Sequence, residues 1–383
     1  MIELDERLRA VRDDCRDAVE DMRSRALSID ADPDDMERHF NSPVYTMIRL
    51  SNTPPEYRES VSGGYRLMKA KSVLEDIVGM VELARGDMST MFACPCPALA
   101  GVYVSLLGNP AQQEKFYTRL HGGRTWTFFA MSEPGHGSDA TNMQTKLEKD
   151  GNGGYLLYGA KRYIGHGARG GIGLVFGRTG RSALSIRAAM VEVPAEGWPT
   201  GVWTARRLDT VGLRGAYLSE LHFDGVPVAA DMLLGEHLPV TRRGIWGAVK
   251  TLNNMRIQIS ASAVGTAMAI TEYVAEHRKN APGVDLALAR AEAGKQLIFQ
   301  AAARLDADPE RGYFASASKL SAVRMAQQTA QWAIASIGPA GLLEHPLLEK
   351  WTRDVRAFEF MDGTSNIQRL HVARGYQSGD ADG

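Results

Sequence analysis

Cysteine is scarce in this chain: Cys15, Cys94 and Cys96 are the three among 383 residues. So few cannot build a disulfide framework, and none stands at metal-ligand spacing from a histidine, so neither a stapled scaffold nor a structural metal site is expected. A surplus of one charge is also missing, since 44 Lys+Arg face 45 Asp+Glu for a formal charge of -1. Without a basic excess nucleic acid is not an expected partner, although a local basic patch for an acidic carrier stays open. No apolar run reaches the roughly 18 residues of a membrane span, and Glu3 to Arg12 is charged, with no apolar core of signal-peptide length. A cytoplasmic protein with no membrane span and no export is expected. Internal repeats are absent as well.

What the chain does have is apolar mass, 44% hydrophobic against 23% charged, enough for two or three packed modules. Leu8, Val11, Ala18, Val19 and Met22 recur at helical spacing within residues 1 to about 30. Ser51 to Ser62, with Pro54-Pro55, reads as a connector, and Gly63-Gly64 after it breaks any long helix. Lys71 to Gly86 is helical again, and Cys94-Pro95-Cys96-Pro97 reads as a loop or kink in preference to a redox pair. Character changes at Trp126. Thr125–Met131, Tyr155–Tyr158, Ala188–Val193 and Leu218–Phe223 are short aromatic or aliphatic runs between Gly and Asn-Gly turns, which predicts a β-rich insert over roughly 126 to 235. From Val240 helices return. Met255–Val274 is crowded with small residues suited to a buried bundle core, and Ala315–Ile337 repeats the pattern. The tail after Gly375 is polar. Helices, β insert, helices is one α+β arrangement among several that propensity allows.

Two stretches could carry chemistry. Gly135-His136-Gly137-Ser138-Asp139-Ala140 satisfies a dinucleotide pattern by letters, but polar Thr141–Asp150 and Gly151-Asn152-Gly153-Gly154 follow where that motif needs a helix. A dinucleotide turn is not expected there. Near the C-terminus, apolar Phe358, Phe360 and Met361 precede Asp362 and a Gly363-Thr364 turn. A carboxylate so placed can sit at the wall of a dry pocket, where lost hydration makes it a stronger base. An Asp-Gly dipeptide is equally an ordinary surface turn. On local sequence both readings stand.

The run Arg353-Asp354, then Phe360-Met361-Asp362-Gly363-Thr364-Ser365-Asn366-Ile367-Gln368-Arg369, resembles the C-terminal signature of acyl-CoA dehydrogenases, whose catalytic base precedes Gly-Thr. That base is Glu in most of the family and Asp362 here. Phe128 to Asp139 resembles the family's T-E-P-x-x-G-S-D segment, which implies that Phe129, Ala130, Met131, Ser132, Gly137 and Ser138 meet the flavin, with Ser138 also near the substrate's carrier arm. Lys161 to Gly167 is similar to K-x-W-I-T-N-G, with Tyr163 in place of the Trp wall, Ile164 retained and Gly165 in place of a threonine whose hydroxyl serves flavin N5; His166 is a possible substitute donor. Asp224–Val228 and Leu233–Gly235 match the end of the β domain, and Glu82–Asp87 a helix of the N-terminal domain. Arg256 matches an arginine at the start of a helix near the substrate, a position an ordinary helix-start charge would fill equally well, and Met255 stands where some relatives keep their base. Thr364 and Asn366 match cofactor contacts and Gly363 a substrate contact. His277–Gly283 lacks the Phe-Gly of the dimer-crossing FAD contact, and Ala335 and Pro339 replace a Gln and a Gly of Q-x-x-G-G-x-G.

The resemblance implies three domains, an N-terminal helical domain (1–125), a middle β-rich domain (126–237) and a C-terminal four-helix bundle (238–383), with FAD between them and no metal. It implies α,β-dehydrogenation of an acyl thioester carried by CoA or acyl carrier protein, with Asp362 as α-proton base and hydride passing to flavin N5. The electron acceptor is not assigned, and a homodimer or homotetramer is expected. Two alternatives stay open: a flavin oxidase of a small carbon acid, as in nitroalkane oxidases, which use Asp, and a degenerate member without catalysis.

Overall fold

The computed structural model of the chain describes residues 2–61, 72–308 and 312–377. Ser62, Gly63, Gly64, Lys71 and the end of the polar tail after Gln377 lie outside the described residues. Among the described residues seven α-helices come first: α1 (Glu6–Arg16), α2 (Val19–Ala31), α3 (Pro43–Ser51), α4 (Val73–Gly86), α5 (Met88–Ala93), α6 (Ala98–Leu107) and α7 (Pro110–Thr118). The Asp5 carboxylate caps the amide of Leu8 at 2.8 Å to start α1. The single helical stretch expected up to about residue 30 is two helices, broken at Asp17-Ala18. Cys94 to Pro97 is a loop between α5 and α6, as its two prolines predict.

Seven strands follow: β1 (Trp126–Ala130), β2 (Lys146–Lys149), β3 (Tyr155–Gly165), β4 (Gly170–Arg178), β5 (Ile186–Glu192), β6 (Trp203–Arg207) and β7 (Leu218–Val228). They form one sheet in the order β1-β4-β2-β3-β7-β6, with β5 on the free flank of β4. β4 pairs parallel with β1, in the register Ala130↔Val175, and antiparallel with β5. Sequence reading passes over β4 because Gly170, Gly171, Gly173 and Gly177 depress its strand propensity. Its apolar residues Ile172, Leu174, Val175 and Phe176 are fully buried all the same.

The rest is helical: α8 (Ile245–His277), α9 (Val284–Ala307), α10 (Tyr313–Ile337), α11 (Gly341–Glu344), α12 (Pro346–Asp354) and α13 (Ser365–Gln377). α8, α9, α10 and α13 pack as a bundle, and α4 lies across α8 and α9. The small residues of α8 explain how closely α4 approaches. A Cβ on Gly265 would stand 2.3 Å from the carbonyl oxygen of Val81, so only glycine lets the two backbones meet there. The N-terminal helices, the sheet module and the bundle give the α+β architecture expected. Among the described residues no helix is long and apolar enough to cross a membrane.

A buried charge cluster ties the modules together. Lys350 on α12 bonds Asp87, at the start of α5, and Asp354, at 2.6 Å; all three side chains have at most 1% of their surface exposed. Trp351 Nε1 donates to Asp87 at 3.1 Å, and the amide of Leu213, in the loop between β6 and β7, donates to Asp354 at 2.6 Å. Burial works against the Lys350 ammonium, but the two carboxylates outweigh it and raise its pKa. α12 is thereby held at a set position, and the chain leaving it reaches Asp362 eight residues on.

Candidate active site

After α12 the chain makes a short 3-10 turn, Ala357–Glu359, and crosses to α13 through Phe360–Thr364. Asp362 has φ 50° and Gly363 φ 97°, two consecutive left-handed residues. For a non-glycine residue that conformation costs about 1–3 kcal/mol and persists only when its surroundings impose it. Here three elements do so. Lys319 Nζ, from α10, donates to the carbonyls of Met361 and Gly363. Arg256 Nε, from α8, donates to the Asp362 carbonyl at 3.2 Å. Gln368 Nε2, from α13, donates to the carbonyls of Asp362 and Gly363 at 3.1 and 2.9 Å. All three donors are buried, and Glu359 holds the start of α13 by accepting from the Ser365 amide (3.0 Å) and hydroxyl (2.6 Å).

Burial pushes the Asp362 carboxyl above the ordinary carboxylate range, while the charges of Lys319 and Arg256 pull it back. The residue keeps a partly exposed surface, so the protein that desolvates its carboxyl surrounds it at longer range. Lys319 is itself pushed down to about 8, chiefly by burial, and Arg256 is lowered by burial too. The result is a desolvated carboxyl within the field of two buried cations whose own contacts go to the carbonyls of the turn.

Sequence reading found Asp362, Gly363 and Arg256 here but placed Arg256 at a helix start. α8 begins at Ile245, so Arg256 lies in its interior, 5% exposed and pointed at the Asp362 turn. An ordinary helix-start charge is thereby excluded. Lys319 and Gln368 were missed. The signal for Lys319 was a charge on the small-residue face of α10: Ala315, Ala322 and Ala326, at helical spacing from it, are all buried.

A second group forms at the ends of β1 and β3. Lys161 Nζ donates to the Met131 carbonyl (2.9 Å) and to Glu133 (3.0 Å), and the Arg162 amide donates to the Ser132 carbonyl (2.9 Å). Glu133 also accepts from the amides of Gln144 (2.6 Å) and Thr145 (2.8 Å), which ties down the loop that follows. Burial would raise the Glu133 carboxyl, but Lys161 and these donors outweigh it; Lys161 itself is lowered to about 8 by burial. Where β3 slips register against β7, between Arg162 and Ile164, Tyr163 takes φ 63° and is 61% exposed. Ile164 is buried beneath it, and Gly165 is half-exposed. Ala130 is fully buried, and the Phe129 ring packs against Phe176 at 4.8 Å. Gly137 and Ser138 lie on an exposed loop, Thr364 is half-exposed, and Asn366 is exposed and accepts from Arg369 at 2.8 Å.

His166 does not supply a donor in place of the threonine missing at Gly165. Its Nε2 lies 2.7 Å from the Phe92 carbonyl, which can only accept, so Nε2 carries the proton; Nδ1 accepts from Arg169 Nε at 3.2 Å. Burial holds this imidazole well below its ordinary pKa, hence neutral, with both nitrogens engaged.

Among the described residues no hydrogen bond joins the β1/β3 group to the Asp362 turn. They share a frame instead. The His166 amide bonds the carbonyls of Ala216 and Tyr217, at 3.2 and 3.1 Å, and the same loop reaches Asp354 through Leu213. Tyr163 is exposed and Met131 and Ser132 are half-exposed, and the bond from the Arg162 amide to the Ser132 carbonyl brings the two strand ends together, which leaves uncovered surface where a planar ring system could lie. A separate cleft of about 430 Å³, bordered by Lys115, Arg119, Trp198 and Met232, shares no residue with either group. Among the described residues no His/Cys/Asp/Glu cluster could hold a metal.

A sheet module lies between helical modules, with the Asp362 carboxyl on a left-handed turn, and it is the relatives of the chain that give this arrangement its class, an oxidoreductase. Residues 128–226 match the acyl-CoA dehydrogenase middle domain, and residues 242–377 match the acyl-CoA dehydrogenase C-terminal domain. An acyl-CoA dehydrogenase of Bacillus subtilis is 32% identical over 285 residues, 70% of this chain and 72% of that protein. The solved butyryl-CoA dehydrogenase of Megasphaera elsdenii superposes with a TM-score of 0.82 at 22% identity, covering 98% of this chain and 100% of that one. The prolyl acyl carrier protein oxidase AnaB superposes at 0.79 with 22% identity, covering 97% and 99%. The chain belongs to the acyl-CoA dehydrogenase family.

Proposed function

We propose that this protein is an FAD-dependent enzyme that removes the α proton and β hydride of an acyl thioester, with Asp362 as the base. The observation that carries the reading is the Asp362 turn: its carboxyl is raised by burial yet faces Lys319 and Arg256, so it can be ionised while poorly hydrated. FAD, when bound, supplies the acceptor for the β hydride at N5. Met131, Ser132, Tyr163, Ile164 and Gly165 would hold the ring system, with Ala130 and the Phe129 backbone behind them and Gly137, Ser138, Thr364 and Asn366 along the rest of the cofactor. Ser138, Arg256 and Gly363 would border the thioester.

The turn also accounts for stabilising the developing enolate. Peptide planes are trans, so each N–H points opposite to the preceding carbonyl. With the carbonyls of Met361, Asp362 and Gly363 drawn to Lys319, Arg256 and Gln368 on the bundle side, the amides of Asp362, Gly363 and Thr364 face the other way. A thioester oxygen on that side meets backbone donors, of which the Asp362 amide is the expected one. Asp is one methylene shorter than Glu, and a displacement of order 1 Å can cost about 100-fold in rate. The substrate must therefore sit closer to the turn, or be smaller. That favours keeping one second reading, a flavin oxidase of a small carbon acid, separable by hydrogen peroxide formation without an added electron acceptor.

Delivery by CoA or by acyl carrier protein both lie within the reading. We divide the chain into domains at 125/126 and 237/238, and infer a homodimer or homotetramer, for which Leu286 and Leu297 offer exposed apolar positions on one side of α9. The test is anaerobic bleaching of the bound flavin by a panel of acyl-CoA and acyl carrier protein thioesters. The parent protein should bleach with at least one. Asp362→Asn should bind FAD but lose bleaching and α-proton exchange by about 1000-fold or more. Undiminished turnover in that variant removes Asp362 from the chemistry.

A further inference from the structure

Each carbonyl from Met361 to Gly363 is met by a donor from the helical bundle, and two of the three are met by one residue, Lys319. Lys319 is 1% exposed, sits on the small-residue face of α10, and among the described residues forms no salt bridge at contact distance. A buried ammonium without a contacting carboxylate is costly to keep. Its position needs an explanation beyond packing, since methionine would fill the volume. Two things depend on it. By pulling the carbonyls on both sides of Asp362 toward α10, it holds that residue left-handed and turns the neighbouring amides outward. By lying close enough to act electrostatically on the carboxylate, it favours the ionised form in a site where burial favours the neutral one.

We propose that Lys319 is a positioning residue that sets both the conformation and the ionisation of Asp362. The inference rests on Asp362 being the base and adds a second residue, on another helix, through which that base is tuned. The charged and titratable groups around the pair are Arg256 from α8, Glu359 from the turn before Asp362, and His371 on α13, which lies within the field of Arg256. Arg256 alone leaves the carbonyls of Met361 and Gly363 without their cation, so it cannot replace Lys319.

Three variants separate geometry from charge: Lys319→Arg keeps the charge, Lys319→Gln keeps neutral donors, and Lys319→Met removes both. Two readouts apply. The first is hydrogen–deuterium exchange of the peptide spanning residues 357–366, measured before FAD is added. Exchange should rise about 10-fold in Lys319→Met and return toward the parent in Lys319→Arg. The second is the pH dependence of anaerobic flavin bleaching by the thioester that bleaches the parent. Removing a positive charge beside a carboxylate raises its pKa, so the acid limb of Lys319→Gln should move up by about one pH unit, with Lys319→Arg returning it. An acid limb unmoved in flavin-replete Lys319→Gln overturns the proposal. Should the neutral variants not fold, Lys319→Arg still decides: a limb near pH 8 in the parent, where the lysine loses its proton, should vanish with arginine, and its persistence overturns the proposal. Asp362→Asn run alongside keeps the two ideas apart, because full bleaching there rejects the base while the exchange readout still tests the hold on the turn.

Discussion

Asp362 combines two unfavourable states, a left-handed backbone and a desolvated carboxyl, and both follow from what surrounds it. The second has a thermodynamic signature. A carboxyl whose folded pKa lies above its unfolded value binds more protons when folded, so its contribution to stability is present at low pH and is lost as pH rises through the folded pKa. Asp362→Asn mimics the protonated form. It should melt about 1–3 °C above the parent at neutral pH, with the gap closing as pH falls toward 4; differential scanning calorimetry across that range checks it, and a gap that widens on acidification contradicts the raised pKa. Asp362 was legible in the sequence because its neighbours form an ordered motif. Lys319 and Arg256 were not legible as its partners, since they stand 43 and 106 residues away and meet it only after three helices pack.

At the scale of elements, small residues and glycines decide which surfaces can touch. α8 was recognised from its crowding of Ala, Ser and Gly, and the structure shows what those residues admit, the backbone of α4 at Gly265. Gly265→Ala must push α4 away and should cost about 1–3 kcal/mol, read as a lower midpoint in urea unfolding; an unchanged midpoint contradicts the close approach. The same residue type hid β4, whose glycines read as loop although the strand is central to the sheet. β2 and β6 were missed for a different reason: Lys146–Lys149 and Trp203–Arg207 are largely polar and exposed, so they lack the apolar alternation that marks a strand. His166 drew notice as a lone histidine near the cofactor motif, and packing gives it a structural part instead, bridging Phe92 and Arg169.

At the scale of the molecule, the Lys350 cluster joins the N-terminal helices, the loop before β7 and α12, and so sets how the sheet module faces the Asp362 turn. Lys350→Met leaves two buried carboxylates without their cation and should cost about 3–5 kcal/mol, seen as loss of the cooperative thermal transition or of flavin retention at moderate temperature; a variant as stable as the parent would make the cluster incidental. The chain's order of residues determined the helix, sheet, helix arrangement and located the carboxylate, because periodicity and motif are local properties that the next ten or twenty residues carry. Tertiary structure alone decided which cations face that carboxylate, which way the turn's amides point, and that His166 is spent on the scaffold. Those depend on side chains from distant helices converging in a space that excludes water, and electrostatics in such a space are set by neighbours in three dimensions.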